Sequence, residues 1–208
     1  MRRLTRAEQV EQNRERVLAA ARRVFMARGY AGASLEAIAD DAGFSKGVVY
    51  SQFESKADLF LALLDRRIAE RARRNEAIAA TGAGGAEGLR DLLETAERMM
   101  LREPDWTLLV LEFRTHAARD PELNRRYAEA HARTIAGIAH VLARLFERAG
   151  LAPDVPFESL AELILAIDSG VALERVARPN ALPTAQLAHL MFRALGVDPA
   201  VAAELRRA

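Results

Sequence analysis

The segment LEAIADDAGFSKGVVYSQF, residues 35–53, most constrains how this chain can fold. Ser34 precedes it as a helix N-cap, and Gly43 supplies the left-handed residue that ends a short helix. A second short helix opens at Ser45 and runs to about residue 52. Two short helices that cross steeply need a small residue where they touch, and Ala39 fits that role. The segment therefore predicts a helix-turn-helix with a wedge formed by Ile38, Ala42, Phe44 and Val49.

Charge is distributed unevenly between the two ends of the chain. Residues 1–56 hold ten Lys/Arg and seven Asp/Glu, whereas residues 57–208 hold 20 and 22, although the net charge of the chain is only +1. A tight helical hairpin inside an ordinary bundle is the alternative interpretation of the segment. The wedge, the serine caps and the basic N-terminal quarter together favour DNA binding by the exposed face of the second helix. That face carries Ser45, Lys46, Gly47, Val48, Tyr50 and Ser51.

Helical periodicity continues through most of the remaining chain, and no strand-like alternation occurs. Thr5-x-x-Glu8 predicts a capping box that opens a first helix, which Gly29 ends, and Ser55-x-x-Asp58 opens a long fourth helix. Four or five longer helices follow a Gly-rich break after residue 81. We therefore expect an all-α fold of about nine or ten helices. The later helices are expected near residues 89–100, 106–116, 121–150, 157–177 and 184–195, with a short terminal helix after 198.

Composition excludes several classes of protein. Half of the residues are apolar, so the chain can bury a core, and the absence of Cys excludes disulfides and zinc–thiolate sites. The longest uncharged run, residues 179–192, is too short to cross a bilayer, and no apolar run follows the basic N-terminus. We expect a cytoplasmic protein with no membrane partner, no metal and no cofactor.

The stretch from Arg16 to Leu64 resembles the DNA-binding domain of the TetR family of bacterial transcriptional regulators. The resemblance implies an all-α homodimer that binds a palindromic operator in double-stranded DNA, usually as a repressor released by a small-molecule effector. It also implies a DNA-binding domain at residues 1–54, a linking helix at 55–81 and a ligand-binding and dimerisation domain at 82–208. The residues that carry it are Gly29-Tyr30, Ala33-Ser34-Leu35, Ile38-Ala39, Ala42-Gly43, Ser45-Lys46-Gly47, Val49-Tyr50, Phe53, Ser55-Lys56 and Leu59-Phe60.

By family position, Ser34, Tyr50 and Lys56 are expected at phosphates, with Gly47, Val48 and Ser51 at base edges and Lys46 at the rim. Two positions depart from the family pattern. Position 51 is commonly larger, and position 52 is very often His. Because Gln52 can pair with adenine, the operator sequence of a relative does not transfer. The alternatives are a packed Tyr50 and a merely solvated Gln52.

The helix from Trp106 is apolar nearly all round and contains Glu112. A buried carboxylate needs a partner, which His116 or an arginine of a neighbouring helix would supply. Polar groups on inward faces suit a small-molecule pocket, although each is also explained as a satisfied structural residue. The candidate pocket residues are Met99, Trp106, Glu112, Phe113, His116, Tyr127, His131 and Thr134.

Residues 157–177 carry apolar side chains on two faces, which favours packing against the chain's own core and against a second subunit. Gly170 is explained by a close helix approach. A three-layer core within one chain is the alternative. The candidate dimer residues are Leu160, Leu163, Ile164, Ile167, Gly170 and Val171, completed by Leu187, Leu190, Met191 and Ala194 on the last long helix.

An enzyme is a weaker alternative. Glu112 and His116 lie on one helix face, but no Glu-x-x-His pattern, Gly-rich phosphate loop or Gly-x-Ser-x-Gly elbow occurs in the sequence. A constitutive dimeric DNA-binding protein without an effector is the stronger rival, because sequence cannot reveal a cavity.

Overall fold

A computed structural model of the chain describes residues 5–81, 104–149 and 153–183. Within these ranges every regular element is a helix and no strand occurs, so the predicted all-α class is confirmed. The helices expected at 89–100, 184–195 and after 198 lie outside the described residues. The seven described helices are α1 (Arg6–Gly32), α2 (Leu35–Ala42), α3 (Lys46–Tyr50), α4 (Lys56–Thr81), α5 (Pro104–Ala117), α6 (Pro121–Ala149) and α7 (Phe157–Ala177).

The chain divides into two compact units. The first comprises the described residues up to Ile68 together with Leu109–Ala130, and the second comprises those of Ala69–Leu108 and His131–Ala208. Helices α4, α5 and α6 therefore each contribute residues to both units. None of the helices in the described ranges has the length and hydropathy that a bilayer crossing requires.

Local capping chemistry explains where the first helices begin. At the start of α1, the Glu8 backbone N–H donates to the Thr5 hydroxyl over 3.2 Å, and the Glu8 carboxylate accepts from the Thr5 N–H over 2.7 Å. The Ser34 hydroxyl accepts from the Ala37 N–H over 3.2 Å and opens α2. These interactions confirm the predicted capping box and the predicted Ser34 cap.

The predicted end of α2 and the predicted start of α4 are also confirmed. Gly43 has φ 69° and ψ 34°, and this left-handed conformation ends α2. The Ser55 hydroxyl accepts from the Asp58 N–H over 3.0 Å and donates to the Asp58 carboxylate over 2.8 Å at the start of α4. Asp58 also pairs with Arg126 of α6 at 2.6 Å, which ties two helices of the first unit together.

The core of the first unit is an aromatic cluster. Phe60 and Phe113 stack with ring centroids 4.2 Å apart, and Tyr30 meets Phe113 edge to face at 4.9 Å. Phe25 completes the cluster edge to face with Phe60 at 5.3 Å. Burial and the nearby Asp58 charge raise the pKa of Tyr30 to about 12, so its ring remains a neutral packing element. Helix α5 is thereby packed against α1 and α4 through Phe113.

Gly29 breaks α1 without ending it, which corrects the predicted boundary. Its φ of 69° and ψ of 175° are not helical, yet helical residues continue to Gly32. The break leaves backbone N–H groups that need acceptors, and Glu112 of α5 supplies them. Its carboxylate accepts from the Tyr30 N–H and from the Ala31 N–H, each over 2.9 Å. The predicted partners of Glu112, His116 or an arginine, are therefore replaced by backbone donors.

Lys56 binds the backbone carbonyl groups at the C-terminal end of α1. Its Nζ donates to the carbonyl oxygens of Tyr30, Ala31 and Ala33 over 2.7, 3.3 and 3.0 Å. The ammonium also lies 4.6 Å from the centroid of the Tyr30 ring. Burial lowers the pKa of Lys56, whereas the Glu112 charge acts in the opposite direction. The C-terminal end of α1 is thus held by a carboxylate on its N–H groups and an ammonium on its carbonyls.

We predict that Gly29→Ala lowers the free energy of unfolding by about 2 kcal/mol or more. The φ and ψ of Gly29 lie in a region that only glycine adopts readily. A Cβ there would also lie 2.7 Å from Glu112 Oε2, so the carboxylate would have to move off its two donors. Urea unfolding followed by circular dichroism measures the change.

Gly32→Ala is the matched control, because Gly32 has no positive φ and a Cβ there would meet only Arg28 Cβ at an ordinary 3.5 Å. We expect that variant to be neutral or up to about 1 kcal/mol more stable than the wild type. Equal losses for the two alanine variants would contradict the role given to Gly29.

Candidate nucleic-acid interface

The helix-turn-helix of α2 and α3 is assembled by the predicted wedge. Ala39 is fully buried at the helix contact, and the Phe44 N–H donates to the Ala39 carbonyl over 3.0 Å to close the turn. Ile38, Ala42 and Val49 are buried as expected. Phe44 is only half-buried, and the Arg16 guanidinium lies 4.4 Å from its ring centroid.

The opposite face of α3 is exposed to solvent. The Lys46 side chain is 63% exposed and Tyr50 is 47% exposed, so both can reach a ligand in front of the helix. A Cβ added at Gly47 would meet only Ser45 Oγ at 3.9 Å, so an approaching backbone or base edge meets little obstruction there. Ser45 stands at the N-cap position, but its hydroxyl makes no capping hydrogen bond, which corrects the prediction that it caps α3.

Glu36 of α2 interacts with two residues of the candidate DNA-binding face and was not predicted from the sequence. The Tyr50 hydroxyl donates to Glu36 Oε1 over 3.0 Å, and Lys46 Nζ lies 3.9 Å from the same oxygen. The hydrogen bond at its own backbone N–H and the bond from Tyr50 lower the pKa of Glu36, so it is ionised at neutral pH. This carboxylate orients the Tyr50 hydroxyl and partly offsets the Lys46 charge. Spacing along the chain gives no signal for it, because Glu36 and Tyr50 belong to different helices.

Ser51 and Gln52 follow α3, which ends at Tyr50, two residues before the predicted boundary. The Ser51 hydroxyl and the Gln52 side-chain amide both donate to the Val48 carbonyl, over 2.9 and 3.3 Å. Gln52 Oε1 is buried and has no hydrogen-bond partner in the described part of the chain. The Gln52 side chain is therefore half-buried and lies against the end of α3.

Ser34 and Lys56 already make the structural contacts described above. The Ser34 hydroxyl accepts from the Ala37 N–H, and its interaction with the Glu36 carboxylate helps to lower the pKa of Glu36. The Lys56 ammonium is surrounded by three carbonyl oxygens at the end of α1. A phosphate bound by Lys56 would therefore share the ammonium group with these three carbonyl oxygens.

The candidate pocket residues are divided between the two compact units. Glu112, Phe113, His116 and Tyr127 belong to the first unit, where His116 lies 5.1 Å from Tyr30 and Tyr127 lies 5.9 Å from Phe113, between ring centroids. The other described candidates belong to the second unit, and Met99 lies outside the described residues. Those of the second unit are Trp106, which is buried, and His131 and Thr134, which are half-buried and have interactions of their own.

The two apolar faces of α7 differ in exposure. Leu160 and Val171 are buried by the chain itself, and Ile164 and Ile167 are half-buried, so this face belongs to the core of the second unit. The face with Leu163, Ala166, Gly170 and Leu173 is exposed. Within the described residues, no atom lies within 4 Å of a Cβ built at Gly170. The remaining dimer candidates, Leu187, Leu190, Met191 and Ala194, lie outside the described residues.

Comparison with known families agrees with this architecture. The family model for bacterial regulatory proteins of the tetR family matches residues 17–63. The model for the C-terminal domain of BetI-type transcriptional repressors matches residues 85–196. The first range contains the helix-turn-helix and the start of α4, and the second covers more than half of the chain.

Individual relatives extend the same result. The chain is 33% identical over 155 residues to the HTH-type transcriptional repressor AcnR of Corynebacterium diphtheriae, covering 73% of this chain and 75% of that protein. It is 47% identical over 58 residues to the HTH-type transcriptional activator FasR of Mycolicibacterium smegmatis, or 28% of this chain and 26% of the relative.

Among solved structures, a putative transcriptional regulator from Rhodococcus sp. RHA1 aligns with a TM-score of 0.72 at 18% identity, covering 91% of this chain and 97% of that chain. The regulator FadR of Bacillus subtilis, solved in complex with stearoyl-CoA, aligns with a TM-score of 0.69 at 17% identity, over 87% and 96% of the two chains. These structures share the fold. The matches to the two family models and to the repressor relatives identify the chain as a member of the TetR family of bacterial transcriptional regulators.

Proposed function

We propose that this protein is a homodimeric transcriptional repressor that binds a palindromic operator and is released from it by a small-molecule effector. The observation that carries the proposal is the exposed face of α3. Lys46, Gly47 and Tyr50 are exposed to solvent there, next to a Ser45 hydroxyl that makes no capping hydrogen bond. Repression, rather than activation, is supported by the AcnR relatives, which align over about three quarters of their length. Such a protein acts in the cytoplasm, where the DNA is.

The proposed contacts divide into phosphate and base contacts. Ser34, Ser45, Tyr50 and Lys56 offer hydroxyl or ammonium donors to phosphates, and Lys46 adds charge at the rim. The open backbone at Gly47, with Val48, suits base edges, and Ser51 and Gln52 would read bases only after leaving the Val48 carbonyl. Two α3 helices of a dimer would enter successive major grooves about 34–36 Å apart.

Transmission from an effector would use α5. Its first residues, including Trp106, belong to the second unit, and its later residues carry Glu112 to the end of α1. A shift or rotation of α5 would move the carboxylate that fixes the last turn before Ser34 and α2, and would thus alter the angle of the helix-turn-helix. We propose residues 82–208 as the ligand-binding and dimerisation domain and 1–54 as the DNA-binding domain, joined by 55–81.

A constitutive repressor without an effector is the second candidate. It is favoured by one observation: Glu112 is held by two backbone N–H groups, and Phe113 and Tyr127 pack in the aromatic core of the first unit, so these three candidate pocket residues are engaged within the chain itself. Repression that no small molecule relieves, with DNA binding intact, would support it.

The DNA-binding part is tested with a fluorescent duplex taken from the region upstream of the protein's own gene. We expect a sequence-specific anisotropy change whose binding constant falls steeply with salt, with a slope of about −0.9 per phosphate contacted. A scrambled duplex of equal length is the control. Equal affinity for the two duplexes would contradict the proposal.

The role of Glu36 generates a second test. We predict that Glu36→Gln strengthens binding to specific and scrambled duplexes alike, and steepens the salt dependence by about one phosphate contact. The reason is that Lys46 loses the carboxylate that lies 3.9 Å from its Nζ. Glu158→Gln, an equal charge change on the exposed start of α7, is the matched control and should leave binding nearly unchanged. If Glu36→Gln weakens binding, Glu36 serves chiefly to orient Tyr50.

The dimer proposal concerns the exposed face of α7. We predict that Leu173→Glu, at a side chain that is 55% exposed in the single chain, shifts the protein from dimer to monomer in sedimentation velocity, because a charge would be buried in the interface. Val155→Glu, at an exposed side chain just before α7, is the control and should leave the dimer intact. Two variants with the same dimer content would place the interface elsewhere.

A further inference from the structure

Helix α3 is too short to fix its own orientation. It spans five residues, Lys46–Tyr50, and Val49 is its only buried side chain. Isolated helices shorter than about 12–15 residues are marginal in water, so contacts with the rest of the unit must hold α3 in place. The Ser45 hydroxyl makes no capping hydrogen bond that would help. The orientation of α3 therefore depends on the residues that flank it.

Arg16 of α1 contacts the turn that precedes α3. Its Nη2 donates to the Ala42 carbonyl over 3.1 Å, and its guanidinium carbon lies 4.4 Å from the centroid of the Phe44 ring. The Ala42 carbonyl is in the last turn of α2, where carbonyl groups have no donor within the helix. A guanidinium this close to a ring face is attracted to the ring. Arg16 thus holds both the end of α2 and the aromatic residue just before α3.

Arg14, on the same helix as Arg16, contacts the segment that follows α3. Its guanidinium carbon lies 4.7 Å from the centroid of the Phe53 ring. Phe53 is buried, and its N–H donates to the Val49 carbonyl over 3.0 Å, which joins it to the end of α3. The segment from Phe44 to Phe53, with α3 inside it, is therefore held at each end by an arginine of α1.

The part of α1 that carries the two arginines has a fixed position in the unit. Val17 and Leu18, the next two residues, are buried in its core. Glu15 lies between the arginines in sequence, and its carboxylate pairs with Arg66 of α4 at 2.5 Å. Because close packing holds this stretch of backbone, the two guanidinium groups project from a fixed support.

We propose that Arg14 and Arg16 are positioning residues that hold α3 in the orientation in which it reads base edges. The inference rests on the proposed DNA binding by α3 and adds two residues that the proposed contacts do not include. Base readout needs hydrogen bonds of defined geometry in the major groove, whereas phosphate contacts carry no sequence information. Loss of either arginine therefore lowers sequence preference more than general affinity for DNA.

Binding to the upstream and scrambled duplexes tests the proposal. We expect Arg16→Met to weaken binding to the upstream duplex about tenfold and to leave the scrambled duplex within about twofold of the wild type. The salt slope on the scrambled duplex should not change, because no phosphate contact is lost. Arg14→Met should show the same selective loss. Arg28→Met, an equal charge change at an exposed position of α1, is the control and should bind both duplexes as the wild type does.

Phe44→Leu shows whether the ring is the partner of Arg16. This variant keeps a large apolar side chain and every charge, and we expect it to lose upstream binding selectively, as Arg16→Met does. The double variant, Arg16→Met with Phe44→Leu, should lose less than the product of the two single losses, because both substitutions remove the same contact. Losses that multiply would overturn the pairing of Arg16 with Phe44.

Thermal unfolding separates positioning from a general loss of stability. A purely structural role for Arg16 would lower the melting temperature but leave the ratio of the two affinities unchanged well below that temperature. A phosphate contact would weaken binding to both duplexes and lower the salt slope by about one. Either result for Arg16→Met overturns the proposal.

The wild-type protein separates this inference from the proposed function. If the wild type binds the upstream and scrambled duplexes equally, the proposed DNA reading by α3 fails, and the inference fails with it. If the wild type distinguishes the duplexes and the two arginine variants distinguish them equally well, the proposed function stands and only the inference fails.

Discussion

The Glu112 carboxylate, held by the Tyr30 and Ala31 N–H groups at 2.9 Å each, is the interaction on which the first unit depends. Gly29 breaks α1 and creates the unpaired donors, and the absence of a Cβ at Gly29 is what lets the carboxylate approach. Lys56 satisfies the carbonyls of the same turn. Because Ser34 and α2 follow directly, the position of the helix-turn-helix depends on residues far from it in sequence.

Features that depend on neighbours three or four residues apart were predictable from the sequence. The Thr5 capping box, the Ser34 cap and the left-handed Gly43 all follow from residue types at fixed short spacing. The same holds for the wedge, where helical periodicity alone indicates that Ile38 and Val49 face inward. Local chemistry decides these positions, so pattern and structure agree there, whereas the equally local prediction of a Ser45 cap was wrong.

Contacts between residues far apart in sequence escaped prediction. Glu112 is 82 positions from Tyr30 in sequence. Helical periodicity gives no indication that a carboxylate of one helix binds the backbone next to a glycine break in another helix. For the same reason the carbonyl partners of Lys56 could not be inferred, although the family resemblance marked the residue itself.

The choice between lysine and arginine follows from geometry. Lys46 and Lys56 are the only lysines among 30 basic residues. A compact ammonium with three donors fits the three carbonyls around Lys56, where a planar guanidinium fork would not. Arg23 instead makes a two-nitrogen contact with Asp41 at 2.9 and 2.6 Å. Lys46, 3.9 Å from Glu36, has the looser partner and is the easier to transfer to a phosphate. The near-neutral total charge reflects nearly equal numbers of basic and acidic residues, whereas the charge available to DNA is set by a few exposed residues.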